Sequence, residues 1–174
     1  MKAEFVDRAK LRVDEFITYR LHLLAKLADR GAMLLYGAQF GLSLREWRVF
    51  SVIGCFAPLS MGEVGERSNL DRGHASRAVD ALVKRKIVRR RRNKLDKRGW
   101  VLELRPEGQT LFDQVYPMAV ERNMRLISCL SKTEYECMVG ALQKMTAEIR
   151  SINAEFERAA HGDAPSQNDE QEND

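Results

Sequence analysis

The sequence predicts a mainly α fold with one small β-ribbon near its middle. Three observations lead there. Apolar residues recur at helical spacing over most of the chain. Ser, Asp and Glu fall where helix N-termini need caps. One stretch alternates like a strand on each side of a polar loop that ends in glycine. With 174 residues, 44% hydrophobic and 31% charged, the chain has the size and composition of one soluble globular domain with an added element.

Taken in order, residues 8–38 read as an N-terminal helix region. Val13, Phe16, Ile17, Leu21, Leu24, Leu27 and Ala28 recur three and four apart. Gly31 and Gly37 are expected to interrupt that helix. Ser43 caps a second helix, with Glu46 in the reciprocal position of a capping box. It carries Leu44, Trp47, Val49, Phe50 and Ile53 and is expected to stop near Gly54 to Pro58. Ser60 and Glu63 repeat the box and open a short helix. Ser68-Asn69-Leu70 is a turn, and Asp71 caps the next helix. That helix buries Ala75, Ala78, Val79 and Leu82 and exposes Gly73, Ser76, Arg77 and Asp80, with Arg72 at its start. Two short helices joined by a three-residue turn form a helix-turn-helix pattern.

Ile87 to Arg92 and Trp100 to Leu104 then read as two strands of a ribbon, or wing, around the polar loop 93–99. Residues 39–105 therefore form a winged helix-turn-helix domain. Pro106 suits the first turn of a helix. Residues 106–157 read as two long helices, the first with a kink expected at Pro117. The second is capped by Ser131 with Glu134 and carries Tyr135, Met138, Val139, Leu142, Met145, Ile149, Ile152 and Phe156. Such long apolar stripes need a partner surface. The economical one is the same helices of a second subunit, so 8–38 and 106–157 are expected to be dimerisation helices. Residues 158–174 are expected to be a disordered acidic tail.

Charge is distributed unevenly. Between Ser60 and Arg105 there are 14 basic residues against six acidic ones, whereas the segment from His161 onward has five acidic residues and no Lys or Arg. A basic centre is the electrostatic footprint of a nucleic-acid binder. No apolar run approaches the roughly 20 residues that span a bilayer. The first residues are partly acidic and lack an apolar core, so no secretory signal, no membrane and a cytoplasmic location are expected. The three cysteines, Cys55, Cys129 and Cys137, have no metal-ligand spacing and are expected to be reduced, buried thiols. No phosphate loop, metal cluster or nucleophile with a partnered base is present, so neither an enzyme nor a cofactor is expected.

The run Ala75-Ser76-Arg77-Ala78-Val79-Asp80-Ala81-Leu82-Val83-Lys84-Arg85, followed by Asp96-Lys97-Arg98-Gly99, a strand and Pro106-Glu107-Gly108-Gln109, resembles the MarR family of bacterial winged-helix regulators. The resemblance spans roughly residues 10 to 155. Two departures stand out. Lys86 occupies a position where the family often has Gly, and Gly65 one where a small helix former is usual. The absence of a cysteine before Cys55 disfavours the peroxide-sensing branch.

Arg72, His74, Ser76 and Arg77 are the candidates to reach base edges in a DNA major groove, with His74 on the flank. On the wing, Arg98 suits a narrow minor groove, and Lys94 and Lys97 suit phosphates. The resemblance implies that Asp96 holds Arg98 by an ion pair. Strand alternation sends two of Arg89 to Arg92 to each face, so internal ion pairing is expected to share that run with phosphate contact. One helix reads few base pairs; a two-fold homodimer would set two helices about 34 Å apart on a pseudo-palindromic operator in double-stranded DNA. The resemblance further implies a repressor released by a small-molecule effector. An aromatic carboxylate or its thioester would suit a pocket lined by Tyr19, His22, Leu23, Phe40, Trp47, Phe50, Phe112, Tyr116 and Met118. The competing reading is a ligand-independent architectural or protein-interaction module on the same winged-helix scaffold.

Overall fold

A computed structural model describes residues 10–93 and 99–162 of the chain. A 3-10 turn, Val13–Glu15, precedes α1 (Ile17–Phe40) and α2 (Leu44–Phe56). Then come β1 (Leu59–Ser60), α3 (Met61–Ser68), α4 (Arg72–Lys84), β2 (Val88–Arg92), β3 (Trp100–Leu104), α5 (Pro106–Ile127) and α6 (Lys132–Gly162). The chain divides into two compact units, Met1–Val120 and Glu121–Asp174, with α5 crossing the boundary.

In the first unit, α2 is the centre of the core. It packs against α1, α3, α4 and β3. Val49, Phe50 and Ile53 of α2 are fully buried, as are Val64, Val79, Leu82, Val88 and Val115 around them. Burying each such side chain contributes about 1.5–3 kcal/mol. The expected capping boxes are formed. Ser43 Oγ accepts from Glu46 N at 3.2 Å, and Ser60 Oγ accepts from Glu63 N at 3.3 Å.

The sheet is antiparallel in the order β1-β3-β2. Its register sets Leu59 opposite Leu102, and Leu102 opposite Arg90. The two ribbon strands lie within one residue of expectation. The third, β1, is too short to show a period and takes its conformation from pairing with β3.

Other elements depart from the sequence reading. Gly31 and Gly37 do not interrupt α1, because Ala32 and Tyr36 of the same segment are buried and hold it helical. Helix α2, by contrast, ends at Phe56, within the expected 54–58 stretch, and α5 is one helix with Pro117 inside it. The three cysteines are free but exposed rather than buried: Cys55 lies in the last turn of α2, Cys129 between α5 and α6, and Cys137 on α6. In the second unit, Ser131 and Glu134 cap α6 as expected, with Ser131 N donating to Glu134 Oε2 at 2.8 Å. Helix α6 runs to Gly162, past residue 158, where order was expected to end; residues 163–174 lie outside the described residues.

Three helices stop in the same way. Gly41, Asn69 and Lys86 take left-handed backbone at φ 61°, 52° and 59°. Each lets the next amide reach back: Leu42 N to Tyr36 O, Leu70 N to Gly65 O and Ile87 N to Leu82 O, at 3.0–3.2 Å. These bonds satisfy carbonyls that a helix end leaves open. Gly and Asn adopt this conformation readily. Lys86 carries the strain that its departure from the family pattern implies, about 1 kcal/mol. The chain then passes close to α5. A Cβ on Gly108 would run into the Ile87 carbonyl oxygen, which already accepts from Arg105 N at 2.9 Å.

Two substitutions test this backbone. Lys86→Gly should stabilise the protein by up to about 1 kcal/mol, partly offset by unfolded-state entropy. Gly108→Ala should destabilise it by about 2 kcal/mol, because backbone must move. Urea unfolding of both variants reads the difference; a Gly108→Ala protein as stable as the parent would contradict the close approach.

Candidate nucleic-acid interface

Helix α4 is two-sided. Ala75, Ala78, Val79 and Leu82 are buried, while Arg72, Gly73, Arg77 and Asp80 are exposed and Ser76 is half-buried. Small residues on the inner face let α4 lie close to α3: a Cβ on Gly65 would stand 3.8 Å from the Ala75 Cβ. The departure at Gly65 thus sits at the helix crossing.

Asp71 starts the helix. Its Oδ1 accepts from His74 N at 2.8 Å, and its Oδ2 meets the Nδ1 of the same histidine. His74, expected on the flank of the groove-reading set, is therefore part of the N-cap. These side-chain and backbone hydrogen bonds hold the Asp71 carboxyl down at about 2.

The wing strand is tied to α4. Arg90 Nη2 lies 2.5 Å from Asp80 Oδ1. Arg89 and Arg91 converge on Glu103, at 2.7 and 3.1 Å. Partial burial pushes the Glu103 carboxyl upward. The hydrogen bonds from Arg91 and Arg89, with their charges, outweigh it and hold the group below the usual range. The Arg92 guanidinium stacks over the Trp100 ring, 4.4 Å from its centre. The internal pairing anticipated from strand alternation thus involves Arg89, Arg90 and Arg91. Arg85, which follows α4, donates to the carbonyls of Phe40 and Gly41 at 3.0 Å and ties the recognition helix to the end of α1. Cations are favourable at such a helix C-terminus.

Lys94, Asp96, Lys97 and Arg98, expected at the wing tip, lie outside the described residues. Of the aromatic set, Trp47, Phe112 and Tyr116 come together in one chain of ring contacts. It runs Tyr36, Trp47, Phe50, Phe112, Tyr116, with centroids 4.3 to 6.4 Å apart. Phe50 also stood in the expected lining, whereas Tyr36, 2% exposed, did not. A Cβ on Gly54 would strike the Phe112 ring, so that glycine makes room for the chain. Tyr116 also meets the Cys55 thiol, whose hydrogen bond and charge push its hydroxyl up. Phe40 packs against the core, while Tyr19 and His22 are exposed on α1.

A helix-turn-helix with a basic outer face, followed by a ribbon bonded to it, defines a winged-helix DNA-binding module. The MarR family model matches residues 40–99, which span α2 through the wing loop. Residues 40–99 are thus similar to the MarR family of DNA-binding transcriptional regulators. Among curated relatives the chain is 29% identical over 105 residues to the HTH-type transcriptional regulator BilQ of Clostridium symbiosum, covering 60% of this chain and 73% of that one. It is 26% identical over 106 residues to the HTH-type transcriptional regulator YkoM of Bacillus subtilis, covering 61% and 69%. Its fold is similar to a MarR/EmrR family regulator from Acinetobacter, with TM-score 0.76, 24% identity and 81% and 99% of the two chains covered. It is also similar to S. aureus MepR in a structure with DNA, with TM-score 0.69, 18% identity and 77% and 98% covered.

Two measurements check the local geometry. A double-mutant cycle on Asp80→Ala and Arg90→Ala should give a coupling of about 0.2–1 kcal/mol, the range for an exposed pair; zero coupling would mean the wing is not held this way. Asp71 has a lowered folded pKa, so its contribution is present above pH 4 and lost as pH falls through about 2. The stability gap between the parent and Asp71→Asn should close over that window, read by denaturant melts at each pH.

Proposed function

We propose that the chain is a homodimeric repressor that reads a pseudo-palindromic operator and is released by a small aromatic effector. The observation that carries the DNA half is the outer face of α4, where Arg72, Ser76 and Arg77 lie opposite a fully apolar inner face. Arg72 and Arg77 donate to guanine edges, Ser76 to a base or phosphate, and His74 orders the helix start. At the wing, Arg98 enters the minor groove with Asp96 holding it, and Lys94 and Lys97 meet phosphates.

Support for the dimer comes from apolar surface left in water on a single chain. Phe16, Ile17, Leu23, Leu24 and Leu27 are exposed on or beside α1, and Tyr135, Met138, Ile149 and Phe156 on α6. Exposed apolar surface of this kind on each helix marks an association face. On α6 the residues from Tyr135 through Met138, Leu142, Met145, Ile149 and Ile152 to Phe156 alternate three and four apart. That is the spacing of a seam between helices. Support for an aromatic effector is the ring chain around Trp47, Phe112 and Tyr116, with Phe40, Tyr19 and His22 the further candidates to line it. An effector that lowers DNA affinity 100-fold needs about 2.7 kcal/mol of coupling.

The test is fluorescence anisotropy with the DNA upstream of the chain's own gene. Arg77→Ala should cost about 1–3 kcal/mol and relax base preference at one position in each half-site. Binding should show two protomers per site and weaken with aromatic carboxylates. A chain that ignores this DNA, or an Arg77→Ala variant with full affinity and preference, would refute the reading. Binding that no metabolite relieves would refute the effector half.

A further inference from the structure

Gly73 stands on the outer face of α4, between Asp71 and Arg77. Glycine weakens an exposed helix relative to alanine, because it gives up more backbone freedom on folding. The fold asks for no glycine here. The residue is right-handed helical, unlike Gly41. Among the described residues no atom crowds its side-chain space, whereas the Phe112 ring does so at Gly54 and the Ile87 carbonyl at Gly108. Apart from its chain neighbours, the atoms nearest the place of a Cβ are Asp71 Oδ1 at 3.4 Å and Arg77 Nη1 and Nη2 at 3.6 and 3.9 Å. A methyl group would meet all three at ordinary van der Waals distance.

The bare spot is therefore lined by donors and an acceptor. Arg77 leans back along α4 toward the helix start, as long helical side chains do, and brings both terminal nitrogens of its fork to the spot. Among the described residues Arg77 holds no carboxylate, in contrast to Arg89, Arg90 and Arg91. Asp71 Oδ1 accepts from His74 N at 2.8 Å, and a carboxylate oxygen keeps a second lone pair.

We propose that Gly73 is a specificity-determining residue: its bare surface seats the major-groove edge of one G·C pair in each half-site, with guanine at the Arg77 fork and the cytosine amine toward Asp71. It rests on the DNA-binding reading above. The order of groups selects this pair. Guanine presents two acceptors, N7 and O6, and its cytosine partner then presents one donor, N4. Adenine presents one acceptor and one donor, so it does not fill a fork of two donors. A guanine edge bonded to both nitrogens lies about 2.9 Å from them, beside residue 73. A Cβ there, 3.6–3.9 Å from the same nitrogens, would stand in that approach.

The probe is the duplex from upstream of the chain's own gene, footprinted and then remade with each pair of the half-sites changed in turn, beside a random-sequence duplex. Full-length Gly73→Ala should unfold at an equal or higher urea concentration than the parent and bind the random duplex equally well. It should bind the upstream duplex about ten- to hundredfold more weakly. Its preference for G·C should fall at one position in each half-site, the position that Arg77→Ala also relaxes. The double variant should bind no more weakly than Arg77→Ala alone, because both changes remove one contact. Parental affinity and preference in Gly73→Ala, a loss at another position, a pair other than G·C at the Arg77 position, or a lower urea midpoint overturns the proposal, while parental binding leaves the DNA reading intact. Failure of the parent itself to bind the upstream duplex overturns both.

Discussion

The interface depends on how α4 buries its inner face. Ala75, Ala78, Val79 and Leu82 lose almost all exposure to the core centred on α2. Successive helix positions differ by about 100°, so this burial dictates which residues face outward. Arg72, Arg77 and Asp80 are presented because the small apolar set must be inside. Both ends of the helix are tied as well. Asp71 and His74 close the start, and the left-handed Lys86 lets Ile87 N bond Leu82 O at the end. Rotation of α4 about its axis would expose Val79 and Leu82 and break these end bonds together.

The arginine-rich strand works differently from its first appearance. Four consecutive arginines suggest an undivided phosphate-binding tract. Three of them hold carboxylates of the chain itself, Glu103 for Arg89 and Arg91, and Asp80 for Arg90. Exposed ion pairs of this kind are worth about 0.2–1 kcal/mol each. Burial of one core side chain outweighs any one of them, so their contribution is to position. They set the ribbon against the recognition helix, whereas α2, α4 and the buried end of β2 supply the stability.

Most of the fold was legible because its signals are local. Capping boxes at Ser43, Ser60 and Ser131, the apolar period of α4 and the alternation of β3 each need only a few neighbours to be read. The misreadings share another cause. Gly31 and Gly37 are unfavourable locally, but packing of Ala32 and Tyr36 beside them outweighs about 1 kcal/mol per glycine. The short β1 exists only through β3. Of the candidate interface, the outward residues of α4 followed from period alone. The partners of Arg85 and Arg90 did not, since those contacts join elements distant in sequence through tertiary geometry. Asp80, an acid on an otherwise basic face, was the one local clue that a cation is held there.

The central claim is that the exposed arginines of α4 meet DNA while those bonded within the fold do not. Phenylglyoxal modification, mapped by mass spectrometry with and without saturating duplex from upstream of the gene, measures this directly. Arg72 and Arg77 should be protected by the duplex, whereas Arg48, bonded to Asp29 at 2.7 Å, should react at an unchanged rate. Equal modification of Arg72 and Arg77 in the free and bound protein would contradict the account.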